Sequence, residues 1–286
     1  MIKRVLTLAW QLPFMVTGYL FTWLGPVLYE IGAMLIFLLK VLRAVFRRPF
    51  EVRELILQLY QVGVRSIPVV GLAGLFVGAI VSLQFNYALS RFGAGALQYL
   101  GGVTTSGILR EVGPVLVSVM IAARVGAYIT AELGTMKVTE QVDAVRCLGA
   151  DPVQFLVVPR FLAVTVMIFV LTILGLIIAT AGGALSAFFL ADMGISKYFA
   201  SIRSLAAAWA LFNGMFKSLL FGVVLSTVCC YKGLYTEGGS EGVGRAVNSC
   251  LVTSSIAIFL ADYIIARVAS ITFEVAESFL FFMEIP

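Results

Sequence analysis

The stretch 124–160, RVGAYITAELGTMKVTEQVDAVRCLGADPVQFLVVPR, sets Glu132, Lys137, Glu140, Asp143, Arg146 and Asp151 between two long apolar runs. Such a charge density cannot sit in hydrocarbon, so the stretch belongs at a membrane face. Its centre, 136–148, lacks Pro and Gly and predicts a short helix, with Gly149 stopping it and Asp151-Pro152 forcing a turn. Glu140, Asp143 and Ala144 share one face of that helix, while Val138, Val142 and Val145 line another. The chemistry this pattern offers is electrostatic and apolar docking onto a partner, not bond making.

A second set of charges lies inside the apolar runs: Arg110, Glu111, Arg124, Lys217 and Asp262. Buried charges are expensive in a bilayer and mark pairs or polar pathways. Arg110 and Glu111 are sequence neighbours, about 100° apart on a helix, so each needs another partner or water. They either line a path through the membrane or snorkel to the outer headgroups. Asp262 is a candidate polar site, equally able to bond nearby hydroxyls or reach the outer headgroups. Lys217, near the start of its run, is expected to snorkel outward.

Other chemistries are closed. Histidine is absent from the 286 residues, which removes Ser-His, Cys-His and His-metal sites. Cys147, Cys229, Cys230 and Cys250 show no metal spacing, and the adjacent pair reads as small core residues. The glycines of YKGLYTEGGSEGVGRAVN, 231–248, invite a phosphate-loop reading, but Gly244 is followed by Arg245-Ala246 and not by Lys and a hydroxyl. No catalytic residue, metal site or cofactor of the chain's own is expected, and 231–248 reads as a flexible inner turn.

The elements that must position these charges follow from composition. Hydrophobic residues make up 61 % and charged residues 12 %, where a soluble domain carries about 25 % charged. With a mean hydropathy of +1.04, this is an all-α polytopic membrane protein. Lys3, Arg4, Lys40, Arg43, Arg47, Arg48, Arg53 and Arg65 precede or open the first clear span, placing the N-terminus in the cytoplasm. The net charge of +5 therefore reports topology, not nucleic acid.

Five spans are read at about 62–85, 108–131, 155–180, 211–230 and 249–268. Residues 86–107 form an outer loop, and 191–210 an outer connection. Residues 1–60 form an N-terminal segment in which 5–39 either lies in the interface or spans; 61–268 form the five-span core; 269–286 form a tail on the outer side. Gly74 and Gly78 make a GxxxG pair, which serves either packing between spans or a dimer contact. No signal-peptide cleavage site is evident.

The order A-R-x-G-A, T-A-E-L-G-T-M, T-E-Q-x-D-A, L-G-A-D-P and V-P-R-F-L-A resembles the MlaE-type permease subunits of lipid-transporting ABC systems that work with MCE proteins. The likeness continues through Arg110-Glu111-x-Gly113-Pro114 and Gly238 to Ala246. It implies an N-terminal elbow helix, five spans, and a cytoplasmic coupling helix, here about 136–148, that fits a groove on a separate ATPase. It further implies a homodimer in an inner membrane, an outer-side MCE partner, phospholipid as cargo, and ATP with Mg on the ATPase. On this reading Glu132, Met136, Thr139, Glu140, Val142 and Asp143 serve ATPase coupling, Glu140 and Asp143 as charged contacts and Met136 and Val142 as anchors. Glu132 fastens the base of the second span to Arg124 or Arg160. Val81, Gln84, Leu89, Arg110, Glu111 and Val112 are candidate lipid-pathway positions, while Arg124 and Asp262 are structural polar residues in the membrane. The tail beyond 268 departs from the family pattern. A secondary transporter or a membrane scaffold without ATPase coupling is the alternative.

Overall fold

A computed structural model describes residues 25–47, 51–93, 95–191, 193–205 and 208–283, with side chains omitted at 204–205, 208–209 and 272–283. Among the described residues every regular element is helical. A bilayer leaves backbone N–H and C=O groups no water to bond, so each run satisfies them internally. The chain divides into two compact units, Met1–Arg47 and Arg48–Pro286. The described part of the first is helix α1, Gly25–Val45, which is long and apolar enough to cross a membrane. The rest of the expected 5–39 segment lies outside the described residues.

The second unit contains α2 (Val52–Val62), α3 (Ile67–Ser90), α4 (Leu100–Gly107), α5 (Gly113–Ile121), α6 (Ala127–Val138), α7 (Gln141–Cys147), α8 (Val158–Leu190), α9 (Ile195–Leu205), α10 (Ala208–Leu234) and α11 (Gly239–Met283). Five of its continuous helical stretches are long and apolar enough to cross a membrane: Val52–Ser90, Leu97–Val138, Val153–Leu190, Ala210–Leu234 and Gly239–Ile271.

Helices α3 and α8 form the tightest crossing. A Cβ added at Gly74 would lie 2.9 Å from the Gly175 carbonyl oxygen, and one at Gly78 would collide with the carbonyl of Ala179. The glycine pair therefore serves internal packing, the first of its two readings. Gly182 lies inside the unbroken α8, where a Cβ would collide with the Leu75 carbonyl. Small residues let backbones meet where apolar side chains gain nothing over lipid.

Two expected loops are corrected. Residues 97–107 are helical and buried at Leu100, Thr104 and Thr105; Gly101 admits α9 at close range, and the Gly102 N–H donates to Ser201 Oγ. Residues 231–248 are mostly helix, with α10 ending at Leu234 and α11 beginning at Gly239. Gly238 and Gly239, at φ 91° and 66°, make the turn between them. The expected tail from 269 continues α11 to Met283.

Candidate functional site: the polar turn and two ion-pair clusters

The expected single helix over 136–148 is two helices. Helix α6 ends at Val138, and Glu140 takes a left-handed conformation (φ 60°, ψ 10°) before α7 begins. The Thr139 hydroxyl bonds back to the Thr135 carbonyl at 2.9 Å, closing α6. Gly149, at φ 78°, closes α7, and the Asp151 carboxylate accepts the Val153 N–H at 3.0 Å. The break corrects the expected register: Glu140 stands at the corner, not on a shared helical face with Asp143.

Asp143 is held by its own chain. Lys137 Nζ donates to its Oδ2 at 2.9 Å and Arg146 Nη1 to its Oδ1 at 3.0 Å. The Lys137 hydrogen bond, with the charges of Lys137 and Arg146 and the Arg146 hydrogen bond, holds its carboxyl below the ordinary range against a smaller opposing effect of burial. Val142 is 1 % exposed and packs inward, so on this chain it anchors the turn and offers no knob. Glu140 and Thr139 are exposed, and Met136 is half-buried. Sequence reasoning missed Leu148, which at 85 % exposure is the most exposed large apolar side chain of the turn. With Gly149, Asp151, Phe155 and Glu51 it borders a cleft of about 300 Å³.

The turn stands on an ion-pair base. Arg160 is 2 % exposed, yet it donates from Nε to Glu132 Oε2 at 3.1 Å and places Nη2 3.0 Å from Oε1. Nη1 donates to the Leu156 carbonyl at 2.7 Å, and Glu54 of α2 lies 3.8 Å away. Of the two partners expected for Glu132, Arg160 is the one it takes. Arg124 instead donates to the Arg65 carbonyl, and Tyr128 to Gln61, tying α6 and its approach to the α2–α3 junction. A fork-on-carboxylate pair fixes orientation as well as distance, so α6 and α8 meet rigidly on either side of the turn.

The second cluster lies deeper in the bundle. Lys217, expected to snorkel, is fully buried. Its Nζ donates to Glu111 Oε2 at 2.6 Å and lies 2.9 Å from Asp262 Oδ1, an ion pair without hydrogen-bond alignment. Snorkelling fails because two carboxylates 106 and 45 residues away in sequence are delivered to it by α11 and by the turn before α5. That turn, Ile108–Val112, is π-helical, with the Gly113 N–H bonding the Ile108 carbonyl. Pro114 lacks the N–H that would bond the Arg110 carbonyl, and the turn widens. Proline in mid-span was the available signal; Val153–Val157 widens likewise before Pro159.

The candidate pathway residues divide. Val81 packs on Ile108, Leu109, Leu176, Ala179 and Ala210, and Leu89 packs on Leu100, Ala184, Ala187 and Tyr198. Val112 is half-buried, whereas Gln84, Arg110 and Glu111 are exposed on this chain. Cys229, Cys230 and Cys250 are buried and Cys147 is exposed. No group of residues suited to hold a metal occurs among the described residues.

The charged turn between two spans is thus mounted on a fork of the buried Arg160 and Glu132. The family described as Permease MlaE matches residues 55–268. The chain belongs to the MlaE permease family. A probable ABC transporter permease protein of Rickettsia bellii is 37 % identical over 238 residues, 83 % of this chain and 91 % of that one. The intermembrane phospholipid transport system permease protein MlaE of Haemophilus influenzae is 31 % identical over 222 residues, 75 % and 82 %. The chloroplastic protein trigalactosyldiacylglycerol 1 of Arabidopsis thaliana is 33 % identical over 227 residues, 79 % and 64 %.

Proposed function

We propose that this permease is the membrane-spanning subunit of an ABC transporter that moves phospholipid or a related lipid between an inner membrane and an MCE protein. The observation that carries the proposal is the α6–α7 turn. It projects an exposed Glu140 and an 85 % exposed Leu148 between two spans, on the base formed by Glu132 and Arg160. ATP and Mg bind a separate cytoplasmic ATPase that docks on this turn, and its motion reaches α6 and α8 together through Glu132 and Arg160. Two permease copies pair, and lipid passes between them against Gln84, Arg110 and Glu111, with Val81, Leu89 and Val112 shaping the wall. The N-terminus lies in the cytoplasm with α1 in the interface, and α11 ends in the periplasm. The names of the Rickettsia and Haemophilus relatives support this reading.

Co-purification from native membranes tests it. The intact chain brings down a P-loop ATPase with ATP-hydrolysing activity, and phospholipid appears by mass spectrometry. Glu140→Lys with Leu148→Asp loses the ATPase while the permease stays folded and dimeric. Recovery of the intact chain without any ATPase refutes the proposal and reopens the secondary-transporter and scaffold alternatives.

A further inference from the structure

The connection between α8 and α10 emerges on the membrane face opposite the α6–α7 turn, since one span, 153–190, separates the two. It is not a loose linker. Tyr198 of α9 is fully buried among Leu100, Ala184 and Ala187, and its hydroxyl fills the space over Gly183, where an added Cβ would lie 2.6 Å from it. Ser201 accepts the Gly102 N–H at 3.1 Å and donates to the Tyr198 carbonyl at 2.8 Å. A side chain at Gly101 would collide with that carbonyl. One face of α9 is thus fixed to α4 and α8.

The remaining surface of α9 separates into two sectors. At 100° per residue, Ile195 and Phe199 fall side by side, 49 % and 46 % exposed. They adjoin in sequence the exposed Phe188, Phe189 and Leu190 that end span α8. Ser196, Lys197, Ala200 and Arg203 are exposed on the other sector. Neither Lys197 nor Arg203 has an ion pair among the described residues, and Ile195–Leu205 contains no carboxylate. A helix carrying an apolar sector beside a basic one, at the end of a span, has the amphipathic form that lies in a bilayer interface.

We propose that α9 is an interfacial helix that seats Ile195 and Phe199 in the acyl boundary and binds the phosphates of anionic lipids through Lys197 and Arg203. The inference rests on the spans alone and is independent of what the permease transports. Its occupant is membrane lipid, because the apolar sector continues the apolar end of a span and the basic sector has no carboxylate of its own to satisfy it. Arg203, four residues after Phe199, falls beside it at headgroup level, where a long basic side chain rests its stem on apolar surface, and Lys197 stands at the far edge of the polar sector.

The full chain in nanodiscs of phosphatidylethanolamine with phosphatidylglycerol provides the test. Spin labels at Phe199→Cys and Ser196→Cys should divide, the first reached by oxygen and the second by a water-soluble nickel chelate. Native mass spectrometry should show Lys197→Gln/Arg203→Gln losing phosphatidylglycerol preference by about five-fold for each charge removed. The Phe199 label should stay at the same depth in that variant, which separates lost headgroup binding from misfolding. Nickel access at Phe199, exclusion of both reagents by a partner protein or second copy, unchanged lipid preference, or competition by inorganic phosphate alone would each overturn the proposal.

Discussion

Replacing the two carboxylates around Lys217 should cost more together than the separate losses predict. With its side chain fully buried and Nζ at 2.6 and 2.9 Å from Glu111 and Asp262, the ammonium has two charge partners where one compensates it. At an effective dielectric of about 20, each pairing is worth roughly 6 kcal/mol before desolvation, which takes back several kcal/mol. Glu111 is half exposed and more screened than Asp262, so its single loss is milder than its shorter distance suggests. Glu111→Gln and Asp262→Asn should each cost about 1–2 kcal/mol, because the other carboxylate remains. The double variant strands a buried cation and should cost at least about 5 kcal/mol, a coupling of 1 kcal/mol or more. Adding Lys217→Met should restore much of that loss, since an apolar side chain has no charge to compensate. Unfolding free energies of the purified permease, arranged as a double-mutant cycle, provide the measurement. Additivity within about 0.5 kcal/mol, or no rescue by Met, refutes the shared-cation argument.

The turn and the helix crossing make three further predictions. Glu140→Gly should relieve a left-handed penalty of about 1 kcal/mol and keep or raise the thermal midpoint, while ATPase co-purification falls; Glu140→Val should lower the midpoint. Asp143 has a depressed carboxyl pKa, so its lock on Lys137 and Arg146 contributes above about pH 4, the unfolded value, and is lost as pH falls through the lower folded value. A spin label on the exposed Cys147 should therefore be ordered at pH 7 and gain mobility only in acid below that value, and Asp143→Asn should be mobile at both. Gly78→Leu should cost at least about 3 kcal/mol by forcing α3 from α8, whereas Gly95→Ala, open to solvent, should stay within about 0.5 kcal/mol by the same unfolding assay.

Much of the polar turn was legible before folding. A charged segment between apolar runs has one place to go, and Glu132, beside Arg160 across the turn, had few partners to choose from. The phosphate-loop reading of 231–248 failed on sequence alone. What misled was locality. Helical continuity over 136–148 was read from the absence of Pro and Gly, but Lys137, Asp143 and Arg146 form a tighter closed network if the chain breaks at Glu140. Asp143, its side chain still 45 % exposed, takes its two cations from three and six residues away.

The sequence by itself determined the helical membrane architecture and the polar turn, because hydropathy and hydrogen-bonding capacity act over neighbouring residues. Only the tertiary structure decided that Lys217 is bridged and not snorkelled, that Gly74 and Gly78 serve α8, and that 97–107 is helix locked to α9. Each depends on a partner brought from tens to a hundred residues away, and the energy of a buried charge or a backbone crossing is set by that partner's arrival.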